Sequence, residues 1–205
     1  MTGNDATAAP ALVGRAIEVA RRLGFPLTRQ QAAGNGPSAS LPGVGRFLAV
    51  LAAGCRGGRI AELGTGVGVG TAWMCSAMPA DCTLVTAELD PARAAAAREL
   101  LAGDQRVQVL TGDAMSVLAP LAPFDLVFSD GGMRDAGDFA ALVGMLRPGG
   151  RIVCDDVIPA AALPADSPFR EHDPKRELWS GEDRLIWTEV VLPDLANSLL
   201  VGTRI

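Results

Sequence analysis

From Ala8 to Leu23 the apolar positions Leu12, Ala16, Val19, Ala20 and Leu23 recur at helical spacing, with Arg15, Glu18, Arg21 and Arg22 opposite them. That pattern predicts an amphipathic helix. Gly24 to Gly45 is punctuated by Gly, Pro, Ser and Gln, and an apolar run from Phe47 to Ala53 follows. A loop and then a short helix are expected, the loop being long enough to be a candidate lid over a pocket. After Gly58 short apolar runs alternate with Ala-rich helical stretches, the sequence form of repeated βαβ units. Strands are expected at Arg59 to Leu63, Thr83 to Glu88, Val107 to Leu110, Phe124 to Ser129 and Arg151 to Cys154. Helices are expected at Val69 to Met78, Pro91 to Ala102, Ala114 to Leu118 and Asp135 to Leu146, with Asp90 capping the second of these and Pro91 in its first turn. Right-handed crossovers then require a parallel sheet with helices on both faces.

Beyond Pro159 the chain changes character. A Pro- and charge-rich segment runs to Asp173, a helix is expected near Lys175 to Trp179, and two strand-like runs follow at Leu185 to Leu192 and Ser198 to Arg204. Only Pro193 to Asn197 separates those runs, too little for a crossover helix, so they should be antiparallel neighbours at one edge of the sheet.

Composition narrows the class. With 205 residues, 49% hydrophobic and 20% charged, the chain suits one domain, 1–205, in which 1–7 fray and 8–45 supply the first helix and the lid. No apolar stretch approaches the roughly 18 residues that span a bilayer, and no basic-then-apolar leader opens the chain, so no membrane partner and a cytoplasmic location are expected. A net charge of -5 argues against a surface that tracks nucleic-acid phosphates and favours a small-molecule partner. Cys55, Cys75, Cys82 and Cys154 lie in apolar surroundings without metal-type spacing and are expected to be reduced and buried. There is no Tyr, one His (His172) and one Lys (Lys175), so bases that work at neutral pH are scarce.

The strongest local signal is Glu62-Leu63-Gly64-Thr65-Gly66-Val67-Gly68-Val69-Gly70, where the first strand passes to the first βα helix. Glycines there allow a tight turn and close approach of a ligand. The dinucleotide spacing G-x-G-x-x-G fails from every starting glycine, and the pattern is acidic-x-G-x-G-x-G. It resembles motif I of class I methyltransferases, with further agreement in order and spacing from about Gly43 onward. The resemblance implies a Rossmann-like α/β fold: a mostly parallel seven-stranded sheet with an antiparallel C-terminal hairpin and helices on both faces. It also implies S-adenosylmethionine as cofactor, bound along Glu62, Gly64, Thr65, Gly66, Gly68, Glu88, Leu89, Asp113, Ala114 and Asp130. Within that set Glu62 helps hold the methionine end, and Asp113 with the adjacent amide reads the adenine. Glu88, ending the second strand, can also be read directly as a carboxylate able to accept both hydroxyls of a ribose. Asp113 can equally cap the helix at Ala114.

Asp130 ends the fourth strand, and Asp155 with Asp156 ends the fifth, so a parallel sheet gathers three carboxylates at one edge. They repel unless something positive lies between them, and a hard divalent cation such as Mg²⁺ is one candidate. The arrangement is similar to the cation-dependent O-methyltransferases related to catechol and caffeoyl-coenzyme A methylating enzymes, which implies metal ligation by Asp130, Asp155 and Asp156, a catalytic role for Asp130, and a homodimer. Two departures stand out: Asp156 replaces the usual Asn, and Met133 occupies the place where many members carry a Lys that acts on the substrate hydroxyl. His172 is expected in a solvated loop, and Trp179 and Trp187 in the core rather than against an acceptor. Two other readings stay open from the sequence: an NAD(P)-dependent oxidoreductase on the same sheet, and a protein that binds S-adenosylmethionine without turnover.

Overall fold

The computed structural model of the chain describes residues 9–28, 31, 36–130, 135–192 and 197–205, without the side chain of Asp156. The frayed terminus expected at 1–7, part of the expected lid, and Met133 lie outside the described residues. Two helices come first, α1 (Ala11–Arg22) and α2 (Pro42–Ala53). An alternating series follows: β1 (Arg59–Leu63), α3 (Val69–Cys75), β2 (Thr83–Glu88), α4 (Pro91–Leu101), β3 (Val107–Thr111), α5 (Ala114–Leu118), β4 (Phe124–Ser129), α6 (Ala136–Gly144) and β5 (Leu146–Val157). The chain closes with α7 (Pro174–Ser180), β6 (Leu185–Leu192) and β7 (Asn197–Arg204).

The seven strands form one sheet in the order β3-β2-β1-β4-β5-β7-β6. Strands β1 to β5 are parallel to one another, and β7 runs antiparallel to both β5 and β6. The expected edge hairpin is present, with β7 inserted beside β5 and β6 outermost. The chain moves outward from β1 to β3 and then crosses to β4 on the other side of β1. That reversal opens a crevice at the carboxyl ends of β1 and β4, where such sheets take ligands.

Alternation along the buried strands fills two separate cores. On one face Ala61, Val127, Ile152 and Cys154 meet Phe139 and Leu142 of α6 and Trp179 of α7. On the other, Ile60, Leu126, Phe128 and Val153 meet Val44 and Leu48 of α2 and Met74 of α3. Helix α1 adds an outer layer, with Val13, Ala16 and Ala20 against Ala72 and Trp73. Trp179 lies 5.2 Å from Phe139 and 5.8 Å from Trp187 between ring centroids, the core use expected of it. All four cysteines are buried, and burial pushes the Cys75 thiol up to about 12.

Helix α3 stops at Cys75 rather than Met78, and boundaries differ further from the sequence pattern in two other places. Helix α2 starts at Pro42 rather than Phe47, because Pro42 sits in its first turn and Gly45 lets α2 cross close to the Trp73 ring. Strand β5 starts at Leu146 instead of Arg151, and α6 stops at Gly144. Leu146 pairs with Phe124, the register then shifts, and Arg151 pairs with Leu126. Pro148-Gly149-Gly150 forms this irregularity, with Gly149 at φ 76°; period alone reads such a stretch as a break.

Arg176 in the first turn of α7 fastens the end of β5 to the hairpin. Its guanidinium donates to both Glu189 oxygens at 2.9 and 2.7 Å, to Asp173 Oδ2 at 2.7 Å and to the Ile158 carbonyl at 2.9 Å. The substitution Arg176→Met is expected to cost about 2–4 kcal/mol, because it leaves half-buried carboxylates without their cation. Urea denaturation measures this, and Arg176→Lys should recover only part of it since an ammonium cannot make the two-pronged bond.

Candidate functional site

The loop leaving β1 is shaped by one close approach. Gly64 has φ 93°, and a Cβ there would sit 2.8 Å from the Asp130 carbonyl oxygen. A side chain is excluded both by conformation and by space. Two residues on, Gly66 at φ 55° turns its amide toward β2, where it donates to Glu88 Oε2 at 2.8 Å. The other Glu88 oxygen accepts from the Asp90 amide at 2.9 Å, and Arg93 lies 3.9 Å from it. Thus the carboxylate ending β2 is oriented by backbone from two loops before any ligand arrives.

These groups enclose a cleft of about 370 Å³. Gly64, Glu88, Leu89, Asp113, Ala114 and Asp130 line it, so four strand ends meet there. A second, much smaller cavity of about 10 Å³ lies against Thr65, Gly66, Gly70 and Ser40, with Asp130 lining both. Gly68 starts α3 with φ 93° and packs against Leu100, behind the cleft rather than on it. Asp113 caps α5, accepting from the Ser116 amide at 3.0 Å and its hydroxyl at 2.8 Å, and it also faces the cleft. Asp90 caps α4 as expected, accepting from the Ala92 and Arg93 amides.

Glu62 departs from its expected place. It is 1% exposed and does not line the cleft. Its Oε2 accepts from the Thr71 hydroxyl and, at 2.7 Å, from the Thr86 hydroxyl, which also bonds Thr65 at 2.6 Å. Gly70 passes so near that a Cβ would lie 2.6 Å from Oε1. The carboxylate therefore braces the glycine bend from beneath. Burial, only partly offset by the two threonine hydroxyls, pushes its pKa up to about 7.

The acids ending β4 and β5 separate in their surroundings. Asp130 faces the cleft, whereas Asp155 is 5% exposed and its carboxylate accepts from the Asn197 amide at 2.9 Å. Lys175 donates to the Asp155 carbonyl at 3.0 Å. Among the described residues no group of three acids, His or Cys is arranged to hold a metal ion. The described donors thus fit the expected Mg²⁺ poorly, since the Asp155 carboxylate is already engaged by the Asn197 amide. His172 is an exposed loop residue, 3.4 Å from Glu177.

Sequence reasoning missed Phe25, Arg93, Lys175 and Asn197. The Phe25 ring lies where a Cβ on Gly66 would come within 3.2 Å, and Arg93 stands 5.4 Å over it. Phe25 is the sole aromatic in the Gly- and Pro-rich segment, a signal available but weak. Lys175 and Asn197 reach the sheet edge only through tertiary packing.

Comparisons with known proteins agree with this geometry. A family described as "Methyltransferase domain" matches residues 61–157, from β1 to the end of β5. A putative O-methyltransferase of Mycobacterium sp. (strain JLS) is 35% identical over 190 residues, covering 86% of this chain and 84% of that protein. The chain belongs to the O-methyltransferase family. A catechol O-methyltransferase of Niastella koreensis is 39% identical over 126 residues, a match that spans 57% of each chain. The solved O-methyltransferase TomG of Streptomyces achromogenes, in complex with S-adenosylmethionine, superposes with a TM-score of 0.74 at 25% identity, covering 97% of this chain and 92% of that one. None of these relatives favours the oxidoreductase reading.

In this O-methyltransferase, Glu62 gives a pH signature. Its folded pKa near 7 exceeds the usual 4.5, so the folded state holds the extra proton between those values. The stability contributed by that proton is full below about pH 4.5 and lost as pH rises through about 7. Relative to Glu62→Gln, which lacks the term, the wild-type chain should lose ground over that window and hold a constant difference above it. Thermal unfolding of both proteins from pH 4 to 8 checks this, and a difference that stays flat would contradict the raised pKa.

Proposed function

We propose that the chain transfers a methyl group from S-adenosylmethionine to a hydroxyl oxygen of a small-molecule acceptor. The observation carrying this reading is the meeting of Gly64, Glu88, Asp113 and Asp130, each from a different strand end, around one cleft at the switch point. In this reading Glu88 accepts the ribose hydroxyls, since a carboxylate has lone pairs beyond the two loop amides it already serves. Leu89 and Ala114 flank the adenine, and Asp113 reads its amino group while capping α5. Gly64, Thr65 and Gly66 pass beside the methionine end, with Glu62 and Gly68 acting through the shape of the bend. TomG, which carries S-adenosylmethionine, supports the choice of cofactor.

The reaction is an in-line displacement in which positioning supplies much of the acceleration. The acceptor oxygen donates an electron pair to the sulfonium methyl carbon. The carbon–sulfur bond breaks with its pair going to sulfur, leaving S-adenosylhomocysteine and a methyl ether. Asp130, which lines the cleft, takes the hydroxyl proton and passes it to water. The catechol-methylating relative favours an aromatic diol among the candidate acceptors.

Calorimetry with S-adenosylhomocysteine tests the cofactor site: Glu88→Ala should weaken binding by about 10- to 100-fold, the worth of one or two charge-assisted hydrogen bonds. Unchanged affinity removes Glu88 from the ribose. Radiolabelled methyl transfer across catechols, sugars and coenzyme A thioesters tests the acceptor class. Thermal stabilisation by NAD(P)⁺ with none by S-adenosylhomocysteine would overturn the whole reading.

A further inference from the structure

Phe25 enters the site from the end of α1, an element outside the alternating βα series that builds the cleft. Gly24, at φ 64°, ends that helix in a left-handed turn, its amide donating to the Arg21 carbonyl at 3.1 Å and the Phe25 amide to the Ala20 carbonyl at 2.8 Å. One residue on, the Pro26 carbonyl accepts from the Ala39 amide at 2.8 Å. Backbone on both sides thus fixes the place from which the Phe25 ring projects.

The ring is half-buried and meets two groups that bear on Glu88. One is Gly66, where a Cβ would come within 3.2 Å of the ring and whose amide orients Glu88 Oε2. The other is Arg93, with its guanidinium 5.4 Å from the ring centroid and 3.9 Å from Glu88 Oε1. A cation over an aromatic face is attracted by the ring quadrupole, so the ring and Arg93 hold each other in place. A second cavity of about 440 Å³ adjoins the cofactor cleft, and the two share Phe25, Pro37 and Arg93 as walls. Leu23, Pro26 and Val67 give the second cavity a largely apolar lining. Phe25 is the aromatic side chain common to both, and its removal would join them.

Resting on the methyl-transfer reading, we propose that Phe25 is the partition that limits the cofactor site to an unsubstituted ribose, its ring shutting the second cavity off from the ribose held by Glu88. The oxygen of Glu88 nearest the shared wall is Oε1, beside Arg93. A group attached to the ribose hydroxyl that this oxygen accepts must leave toward that wall, where the ring stands in its way. The same ring covers apolar surface of the bound nucleoside and so adds to affinity. Phe25 acts by shape and apolar contact, with no part in moving the methyl group or the proton.

The test uses the full chain as wild type, Phe25→Ala and Phe25→Leu, with calorimetry of two probes: S-adenosylhomocysteine and its anthranilic ester on a ribose 2′ or 3′ oxygen. Wild type should bind the ester at least about 100-fold more weakly than the parent. Phe25→Ala should lose about tenfold for S-adenosylhomocysteine and gain at least about tenfold for the ester, because the joined cavities admit the added ring. Phe25→Leu should show both shifts at smaller size, and it keeps the comparison if Phe25→Ala does not fold. A purely structural role weakens both probes together as the folded fraction falls and raises affinity for neither. Equal losses for the two probes, unchanged S-adenosylhomocysteine affinity in both variants, or wild type binding the ester as tightly as the parent would each overturn the proposal. Wild type without affinity for S-adenosylhomocysteine would instead count against methyl transfer itself.

Discussion

The chain leaving β1 must pass the backbone of Asp130 at a distance no side chain permits, and the cleft takes its shape from that close approach. Gly64 makes it possible, and Gly66 completes the turn by directing its amide onto Glu88. Once these contacts form, the ends of β1, β2 and β4 are fixed relative to one another by backbone. Side chains that point into the cleft then inherit their positions from the sheet. This is why a site assembled from loops can be rigid before a ligand enters.

Beneath that bend lies a carboxylate in an environment that disfavours its charge. Glu62 is enclosed by Thr71, Thr86 and the underside of the glycines, and its pKa rises to about 7 in response. The threonine hydroxyls lessen the cost of burial without removing it. A polar residue retained at such a cost has a role in holding the loop, which a hydrophobe of similar size cannot do because it offers no acceptors. Support from below and a ligand surface above are thus separate tasks, carried by Glu62 and Glu88 at the ends of neighbouring strands.

The acidic edge shows a similar division. Asp130 belongs to the cleft wall, while Asp155 is drawn back toward β7 by Asn197 and toward α7 by Lys175. The terminal hairpin and α7 are therefore more than a closure of the sheet, since they bring the Asn197 amide and the Lys175 side chain to Asp155. Arg176 secures that delivery by linking α7 to β6 and to the chain after β5.

Much of this architecture was legible in the sequence because period-2 and period-3.6 patterns and turn residues are local properties. They defined seven strands, most helices, the Asp90 cap and the edge hairpin, and the glycine spacing with Glu88, Asp113 and Asp130 marked the cleft, since parallel strands must bring their carboxyl ends together. The early start of β5 escaped because its Pro-Gly-Gly irregularity has no period. The burial of Glu62, the ring of Phe25 over Gly66, and the arrival of Lys175 and Asn197 beside Asp155 were decided only by tertiary structure. Each depends on segments far apart in the chain meeting at one edge, and no local pattern records which side chain a distant helix or hairpin will carry there.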